Sequence, residues 1–228
     1  DLHNAGKEIL LVSSGAIGMG VGKLNLPERP KDTPSKQAAA AVGQCSLMYL
    51  YDKFFGDYDK TVAQILLNAE DIEQEEKKEN LINTFNALLE MGVIPIVNEN
   101  DSVSYKEIES EDRLFGDNDM LSAVVAVLCR AKHLVILSDI DGFYDHDPRL
   151  YPNARLIEQI DTIDDSVYAL AGGAGSRRGT GGMRTKLQAA ALATSQGTNT
   201  IVTNGKHPEA LYDIVKGLHA GTLFPGKI

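Results

Sequence analysis

The segment Gly172–Lys186 contains the residue types that hold phosphate groups. It reads GGAGSRRGTGGMRTK and runs into a stretch with helical spacing that begins near Thr185. Glycines let backbone N–H groups approach an anion, a helix N-terminus adds positive potential, and Lys186 supplies a full charge in the first turn. The pattern is not a Walker A loop, because Lys186 follows Thr185, and it misses GxGxxG, because Arg178 occupies the third glycine position. We expect phosphate binding here, with an ordinary surface loop as the alternative.

Small, acidic or amide side chains follow three short apolar runs: SSGA at 13–16, NEND at 98–101 and SDIDG at 138–142. A fourth group, GDND at 116–119, opens a helix. Each has an ordinary explanation as a turn or a helix cap, and a functional one in which the side chains orient a ligand. The third group does not fit an EF-hand loop, because Leu137 occupies the position of the first ligand. Contact with a sugar or base fits it better.

Together these features favour phosphoryl transfer. That reaction needs positioning and neutralisation of charge by Lys and Mg²⁺, and it needs no protein nucleophile. A dinucleotide oxidoreductase is disfavoured because the glycine-rich segment does not match GxGxxG and no early strand–Gly–helix unit is visible. A non-catalytic amino-acid or nucleotide sensor with the same fold remains the alternative from another class.

The elements that must position these residues alternate along the chain. Continuous apolar runs predict buried strands, and longer segments have helical spacing. This alternation predicts an α/β fold with a mostly parallel sheet, whose ligands collect at the carboxyl ends of the strands. No linker or repeat divides the chain, so we expect a single domain over 1–228. The predicted strands are 8–12, 61–67, 93–97, 133–137 and 199–203, and the predicted helices are 35–55, 75–91, 118–131, 185–196 and 208–215.

Composition narrows the class of protein further. The 228 residues include 22 Lys+Arg and 32 Asp+Glu, a formal charge of −10, which disfavours a nucleic-acid-binding surface. No apolar run is long enough for a membrane helix, so the cytoplasm is the default compartment. Cys45 and Cys129 are expected to be small buried hydrophobes, and the five histidines lack zinc-ligand spacing. The segment Asp1–Gly6 reads as the last turn of a helix with a glycine stop.

Six motifs distributed along the chain resemble the amino acid kinase family. They are VSSGAIGMG at 12–20, KQAAAAVGQ at 36–44, VIPIVNENDSV at 93–103, GDND at 116–119, LSDIDGFYDHDP at 137–148 and GTGGMRTKLQAA at 179–190. The resemblance implies a three-layer αβα sandwich. The combination of SSGA, NENDSV and GDND points to the members that use ATP to phosphorylate the γ-carboxylate of L-glutamate in proline synthesis.

The resemblance also implies roles for individual residues. Ser14, Asp101 and Asn118 would bind the glutamate, and Ser138 and Asp139 would contact the nucleotide. The phosphates would be held by Thr180, Gly181, Gly182, Met183, Arg184, Thr185 and Lys186. Lys186 would stabilise the transferring phosphoryl group, and Asp119 would orient the lysines.

The family further implies ATP and Mg²⁺, inhibition by proline, and a homo-oligomer, either a dimer or a tetramer.

Three features of the chain depart from the family's pattern. The family's N-terminal strand with its Lys-x-Gly-Ser/Thr turn has no counterpart, and its loss would remove one charge-stabilising lysine. The stretch Ser104–Phe115 is longer and more acidic than expected, and no PUA domain follows GTLF.

Overall fold

The computed structural model describes residues 1–103, 118–171 and 182–227. The chain forms two compact units, Asp1–Leu114 and Phe115–Ile228. Each unit combines a three-stranded sheet with helices. The predicted single domain over 1–228 stays a prediction.

Unit 1, Asp1–Leu114, contains a parallel sheet with the strand order β1-β3-β2. The middle strand β3 is the most buried, with Ile94, Ile96 and Val97 at most 1% exposed. A strand covered on both faces needs no polar alternation, which explains its continuous apolar run. The elements are β1 (Leu11–Val12), α1 (Ala16–Lys23), α2 (Thr33–Gly56), β2 (Val62–Leu67), α3 (Ala69–Glu73), α4 (Glu75–Glu90) and β3 (Ile94–Glu99).

Unit 2, Phe115–Ile228, has the strand order β4-β5-β6, with β4 and β5 parallel and β5 and β6 antiparallel. Its core joins Phe143, Val202 and Phe224 to the face of α7 that bears Leu187 and Ala190. The small alanine side chains let α7 lie close to the core. The elements are α5 (Asn118–Leu128), β4 (His133–Ser138), α6 (Asp165–Ala171), α7 (Met183–Ser195), β5 (Asn199–Asn204), α8 (Ala210–Val215) and β6 (Thr222–Phe224).

Helices α1 and α2 cross at glycines. A Cβ atom on Gly43 would lie 1.8 Å from the carbonyl oxygen of Ala16, and one on Gly20 would lie 1.8 Å from that of Ala39. Only glycine fits at both positions, so the two backbones approach closely. This crossing anchors α1, which begins directly after Ser14 and Gly15.

The predicted strands and long helices are confirmed within a few residues, with two kinds of exception. The prediction missed α1, α3, α6 and β6, because α1 is rich in glycine and the others are short. The first strand is only Leu11–Val12 rather than 8–12. Cys45 is exposed, so its predicted burial is wrong. Cys129 is half-buried, and this partial burial raises the pKa of its thiol to about 12.

The beginning of the chain fits the predicted helix end. Gly6 has a φ of 76°, and the Lys7 N–H donates to the carbonyl oxygen of Leu2 over 3.2 Å. Together with the bond from the Gly6 N–H to His3, this is the pattern of a Schellman motif.

Candidate active site

The first turn of α7 holds a compact charged group in unit 2. Lys186 Nζ donates to Asp119 Oδ2 over 2.8 Å, and the two side chains are only 13% and 16% exposed. Asp119 comes from the first turn of α5, which packs against α7. A short, largely buried ion pair is screened little by solvent, so the ammonium group is held in one position.

Thr185 ties the same carboxylate to the start of α7. Its hydroxyl lies 3.0 Å from Asp119 Oδ2 and 2.9 Å from the carbonyl oxygen of Gly182, and these two acceptors share its single proton. Gly182 is the N-cap residue and provides no side-chain cap for α7. The first N–H groups of α7 therefore have no acceptor on the side chain of the N-cap residue, and together with Lys186 these donors suit an anion such as phosphate.

The two other residues at the start of α7 have different surroundings. Met183 packs against the hydrophobic core of unit 2, whereas Arg184 is exposed. The Arg184 guanidinium lies 5.9 Å from the centroid of the Tyr168 ring, within the range of a cation–π contact. Burial raises the pKa of the Tyr168 hydroxyl, while the charge of Arg184 opposes that shift. Of Met183 and Arg184, only Arg184 offers a charge to a ligand.

The exit of β4 holds Ser138 and Asp139 side by side. Ser138 Oγ donates to Asp139 Oδ1 over 3.3 Å, and Asp139 is exposed. In the same loop, Asp141 accepts hydrogen bonds from Asn204 Nδ2 at 2.7 Å and from the Tyr144 hydroxyl at 3.0 Å. The bond from Asn204, and then that from Tyr144, lowers the pKa of Asp141. Asp141 thereby joins the ends of two neighbouring parallel strands.

In unit 1, β1 ends in a turn held from the side by α2. Ser13 is buried, its N–H donates to the carbonyl oxygen of Val97, and its Oγ lies 2.8 Å from the Tyr51 hydroxyl. Ser14 follows in an exposed position. Gly15 then adopts a φ of 100°, which side chains disfavour, and α1 begins at the next residue. The turn presents Ser14 to solvent on a fixed backbone.

The exit of β3 is held by a chain of amide groups. Asn98 is 2% exposed, its Oδ1 accepts from the Glu99 N–H at 3.0 Å, and its Nδ2 donates to Gln44 Oε1 at 2.9 Å. Asn100 accepts from the Ser102 hydroxyl at 2.7 Å. Half-buried Asp101 lines a small open depression, and Gln44 lines the same depression.

The structure brings some of the predicted site residues into contact. Asp119, Thr185 and Lys186 touch one another, and so do Ser138 and Asp139. Ser14 and Asp101 lie in unit 1, and half-buried Asn118 is the first residue of α5 in unit 2. Two predicted phosphate ligands, Thr180 and Gly181, and the acidic stretch 104–115 lie outside the described residues.

The sequence prediction assigned no role to Gln44, Tyr51 or Asn204. Gln44 and Tyr51 are seven positions apart on α2, a spacing that places both on one face of a helix whose neighbouring residues are largely apolar. This seven-residue spacing was the sequence signal from which a shared position of Gln44 and Tyr51 on α2 could have been predicted. No comparable pattern marked Asn204, whose role depends on the pairing of β4 with β5.

The fold and these sites together define a class. The model of the amino acid kinase family matches residues 1–204. The chain therefore belongs to the amino acid kinase family, and it is an enzyme of the kinase class. Within the described residues, no helix is long and apolar enough to cross a membrane.

Relatives with curated names are similar along the full chain. A glutamate 5-kinase from Clostridium perfringens is 55% identical over 227 residues, which cover 100% of this chain and 84% of that protein. A glutamate 5-kinase from Listeria welshimeri is 51% identical over 227 residues, covering 100% of this chain and 82% of that protein. The glycine-rich segment, the strand exits and the helix starts described above all lie within these matches.

Solved structures confirm the predicted α/β fold with a mostly parallel sheet. An isopentenyl phosphate kinase from T. acidophilum superposes with a TM-score of 0.62 at 18% identity, covering 98% of this chain and 86% of that chain. A carbamate kinase from Giardia lamblia superposes with a TM-score of 0.64 at 16% identity and the same coverage of both chains. At these identities the likeness concerns the fold.

Proposed function

We propose that the chain transfers the γ-phosphoryl group of ATP to the γ-carboxylate of L-glutamate, forming L-glutamyl 5-phosphate and ADP as the first step of proline biosynthesis. The observation that carries the proposal is the buried ion pair of Lys186 with Asp119 at the uncapped start of α7. The relatives named glutamate 5-kinase support the choice of acceptor. Because these relatives are named as kinases, the non-catalytic sensor is not favoured.

The reaction needs no protein nucleophile. A γ-carboxylate oxygen of glutamate attacks the γ-phosphorus, a new oxygen–phosphorus bond forms, and the bond from that phosphorus to the bridging oxygen breaks. The bond's electron pair leaves on the β-phosphate of ADP, and no proton has to move. The chain's task is to align the two anionic reactants and to neutralise their charge.

Lys186 is the residue that neutralises charge on the transferring group. Its ammonium is fixed by Asp119, and Thr185 in turn fixes the same Asp119 oxygen. A donor already held in place does not have to reorganise as charge develops in the transition state. Lys186 stabilises the phosphoryl oxygens, and Asp119 acts as its positioning residue.

The nucleotide contacts the start of α7 and the exit of β4. Gly182, Met183, Arg184 and Thr185 provide the helix start for the phosphates, together with Thr180 and Gly181, and Ser138 and Asp139 contact the nucleoside. Glutamate binds through Ser14, Asp101 and Asn118. These assignments follow the resemblance; among the described residues, Ser14 precedes α1, Asn118 begins α5 and Met183 begins α7.

Mg²⁺ fits this site as an ion that arrives with the nucleotide. The described residues contain no group of three or more His, Cys, Asp or Glu side chains that could hold a metal ion. Proteins commonly bind Mg²⁺ through one or two carboxylates together with substrate phosphates, so the triphosphate would supply most of its ligands. When bound, the ion neutralises charge on the phosphoryl oxygens.

Regulation, assembly and location complete the proposal. Proline inhibits the enzyme in the region of the glutamate site, the chain assembles as a homo-oligomer, a dimer or a tetramer, and it works in the cytoplasm. Two exposed aromatic residues at the end of α2 and just beyond it, Phe54 at 58% and Tyr58 at 76%, offer apolar surface for assembly. Light scattering in solution measures the oligomeric state.

The test of the activity uses the wild-type chain with MgATP and L-glutamate. We expect ADP to form only when glutamate is present, and hydroxylamine to trap the acyl phosphate as the γ-hydroxamate. L-Aspartate, which is one methylene shorter, is the matched control substrate. Formation of ADP at the same rate without glutamate, or with aspartate in its place, would contradict the proposal.

A further inference from the structure

The orientation of two side-chain amides is fixed by one backbone group. The Glu99 N–H can only donate, so the Asn98 atom that it contacts at 3.0 Å is the oxygen Oδ1. Asn98 Nδ2 must then donate to the atom of Gln44 that it contacts at 2.9 Å, which is therefore the acceptor Oε1. The Gln44 oxygen is thus occupied, and its NH₂ group remains for another partner.

That NH₂ group has no acceptor in the part of the chain that the structure describes. The nitrogen is not fully buried, so solvent or a ligand can reach it. Gln44 lines the open depression in unit 1 together with Asn100 and Asp101. The depression therefore has a donor without a protein acceptor on one of its lining residues.

The charges around the depression select a ligand class. Among the described residues that line it, none is a lysine, arginine or histidine, whereas Glu99 and Asp101 are acidic. Within this described lining, the groups that can donate to a carboxylate are neutral. The lining also includes Ala16, the first residue of α1, a helix with no side-chain cap, so the helix N-terminus adds positive potential. Acidic groups suit an ammonium, and this combination suits the head of an α-amino acid.

We propose that Gln44 binds the substrate's α-carboxylate through its NH₂ group and thereby selects α-amino acids over simple amines. This inference rests on the proposed function, in which the γ-carboxylate must face the phosphoryl donor and the α-carboxylate is the acidic group left to recognise. Asn98 acts through Gln44, since it holds the amide in the orientation that directs donors to the ligand.

The decisive variant is Gln44→Glu. A glutamate side chain can still accept from Asn98 Nδ2, but it replaces the NH₂ donor by a second acceptor oxygen. Gln44→Met removes both functions at similar size. If Gln44 only positioned Asn98, Gln44→Glu would behave like the wild type and Gln44→Met would not. If Gln44 binds the α-carboxylate, Gln44→Glu is at least as damaging as Gln44→Met.

The paired substrates are L-glutamate and 4-aminobutyrate, which keeps the ammonium and the reacting carboxylate and lacks the α-carboxylate. We expect Gln44→Glu to lower kcat/KM for glutamate by about 10- to 100-fold, the cost of losing a hydrogen bond to a charged group. The value for 4-aminobutyrate should change by less than about threefold, because that substrate never made the bond. Where its turnover is too slow to follow, its inhibition constant against glutamate is compared instead.

Gln74→Glu is the matched control, because it makes the same charge change at an exposed position in unit 1 and should leave both substrates unaffected. Thermal unfolding checks that each variant folds, and if Gln44→Glu does not fold, the substrate ratio of Gln44→Met decides. An unchanged glutamate to 4-aminobutyrate ratio in the variants would overturn the inference. Absence of glutamate-dependent ADP formation by the wild type would instead overturn the proposed function.

Discussion

The two units hold their candidate site residues with different chemistry. In unit 1, neutral groups fix the strand exits: Tyr51 meets Ser13, and Gln44 meets Asn98. In unit 2, a charged pair holds two helix starts: Lys186 in the first turn of α7 is bound to Asp119 in the first turn of α5. Neutral hydrogen bonds fix geometry without adding a field, whereas a buried ion pair fixes geometry and also supplies charge. The difference matches the proposed tasks, which are recognition of an amino acid in unit 1 and neutralisation of phosphates in unit 2.

The largest effect should come from Lys186→Ala in unit 2. Removing the charge should lower kcat by at least about 100-fold, as loss of a donor to the transition state does, while the Kd for glutamate changes little. Turnover assays and calorimetric binding of glutamate measure the two quantities. Lys216→Ala, at an exposed position in the same unit, is the control and should keep full turnover. A change confined to KM would break the comparison between the units.

The next largest effect concerns the helix crossing that supports the Ser14 turn. Gly43→Ala would place a Cβ atom 1.8 Å from the Ala16 carbonyl oxygen, so the helices must separate. We expect a loss of about 1–3 kcal/mol in the free energy of unfolding, measured by chemical denaturation. Gly22→Ala is matched to it, because its Cβ meets nothing within 4 Å, and it should be neutral or stabilising by up to about 1 kcal/mol. Equal destabilisation by both would contradict the close crossing.

A smaller effect is expected for Tyr51→Phe, which removes the hydroxyl that meets Ser13. The loss of one partly buried hydrogen bond should cost about 1 kcal/mol of stability. It should also raise KM for glutamate more than KM for ATP, since Ser13 precedes Ser14 in unit 1. Tyr49→Phe on the same helix loses an exposed hydroxyl and should change neither. An equal rise in KM for glutamate and KM for ATP would contradict the assignment of the Tyr51–Ser13 contact to the glutamate site.

The smallest effect involves the exposed carboxylate Asp141 in unit 2. Hydrogen bonds from Asn204 and Tyr144 lower its pKa below the ordinary value of 3.8. A lowered folded pKa adds stability that is present above pH 4 and is lost as the pH falls through the folded pKa. Because solvent screens this group, we expect only a few tenths of a kcal/mol. The stability difference between wild type and Asp141→Asn should therefore shrink between pH 6 and pH 3 in denaturation experiments, and a constant difference would contradict it.

Much of the fold could be predicted because its signals are local. Apolar runs predicted β2 to β5 within a few residues, and helical spacing predicted α2, α4, α5 and α7. Helix α1 could not be predicted from its residues, because AIGMGVGK contains three glycines and has weak helix propensity. Its packing against α2 stabilises it, and that packing is a tertiary property. Strand β6 is three residues long and pairs antiparallel with β5, which no local pattern indicates.

The amino-acid sequence by itself determined the α/β class, the segment at the start of α7 and the motifs that mark the family. These depend on residue types within a few positions of one another. The tertiary structure decided which side chains meet: Lys186 and Asp119 are 67 positions apart, Gln44 and Asn98 are 54 apart, and Ser13 and Tyr51 are 38 apart. Such pairs form only when packed helices and strands bring distant segments within hydrogen-bond distance. The orientation of the Gln44 amide depends on this packing, so no periodicity in the sequence could have shown it.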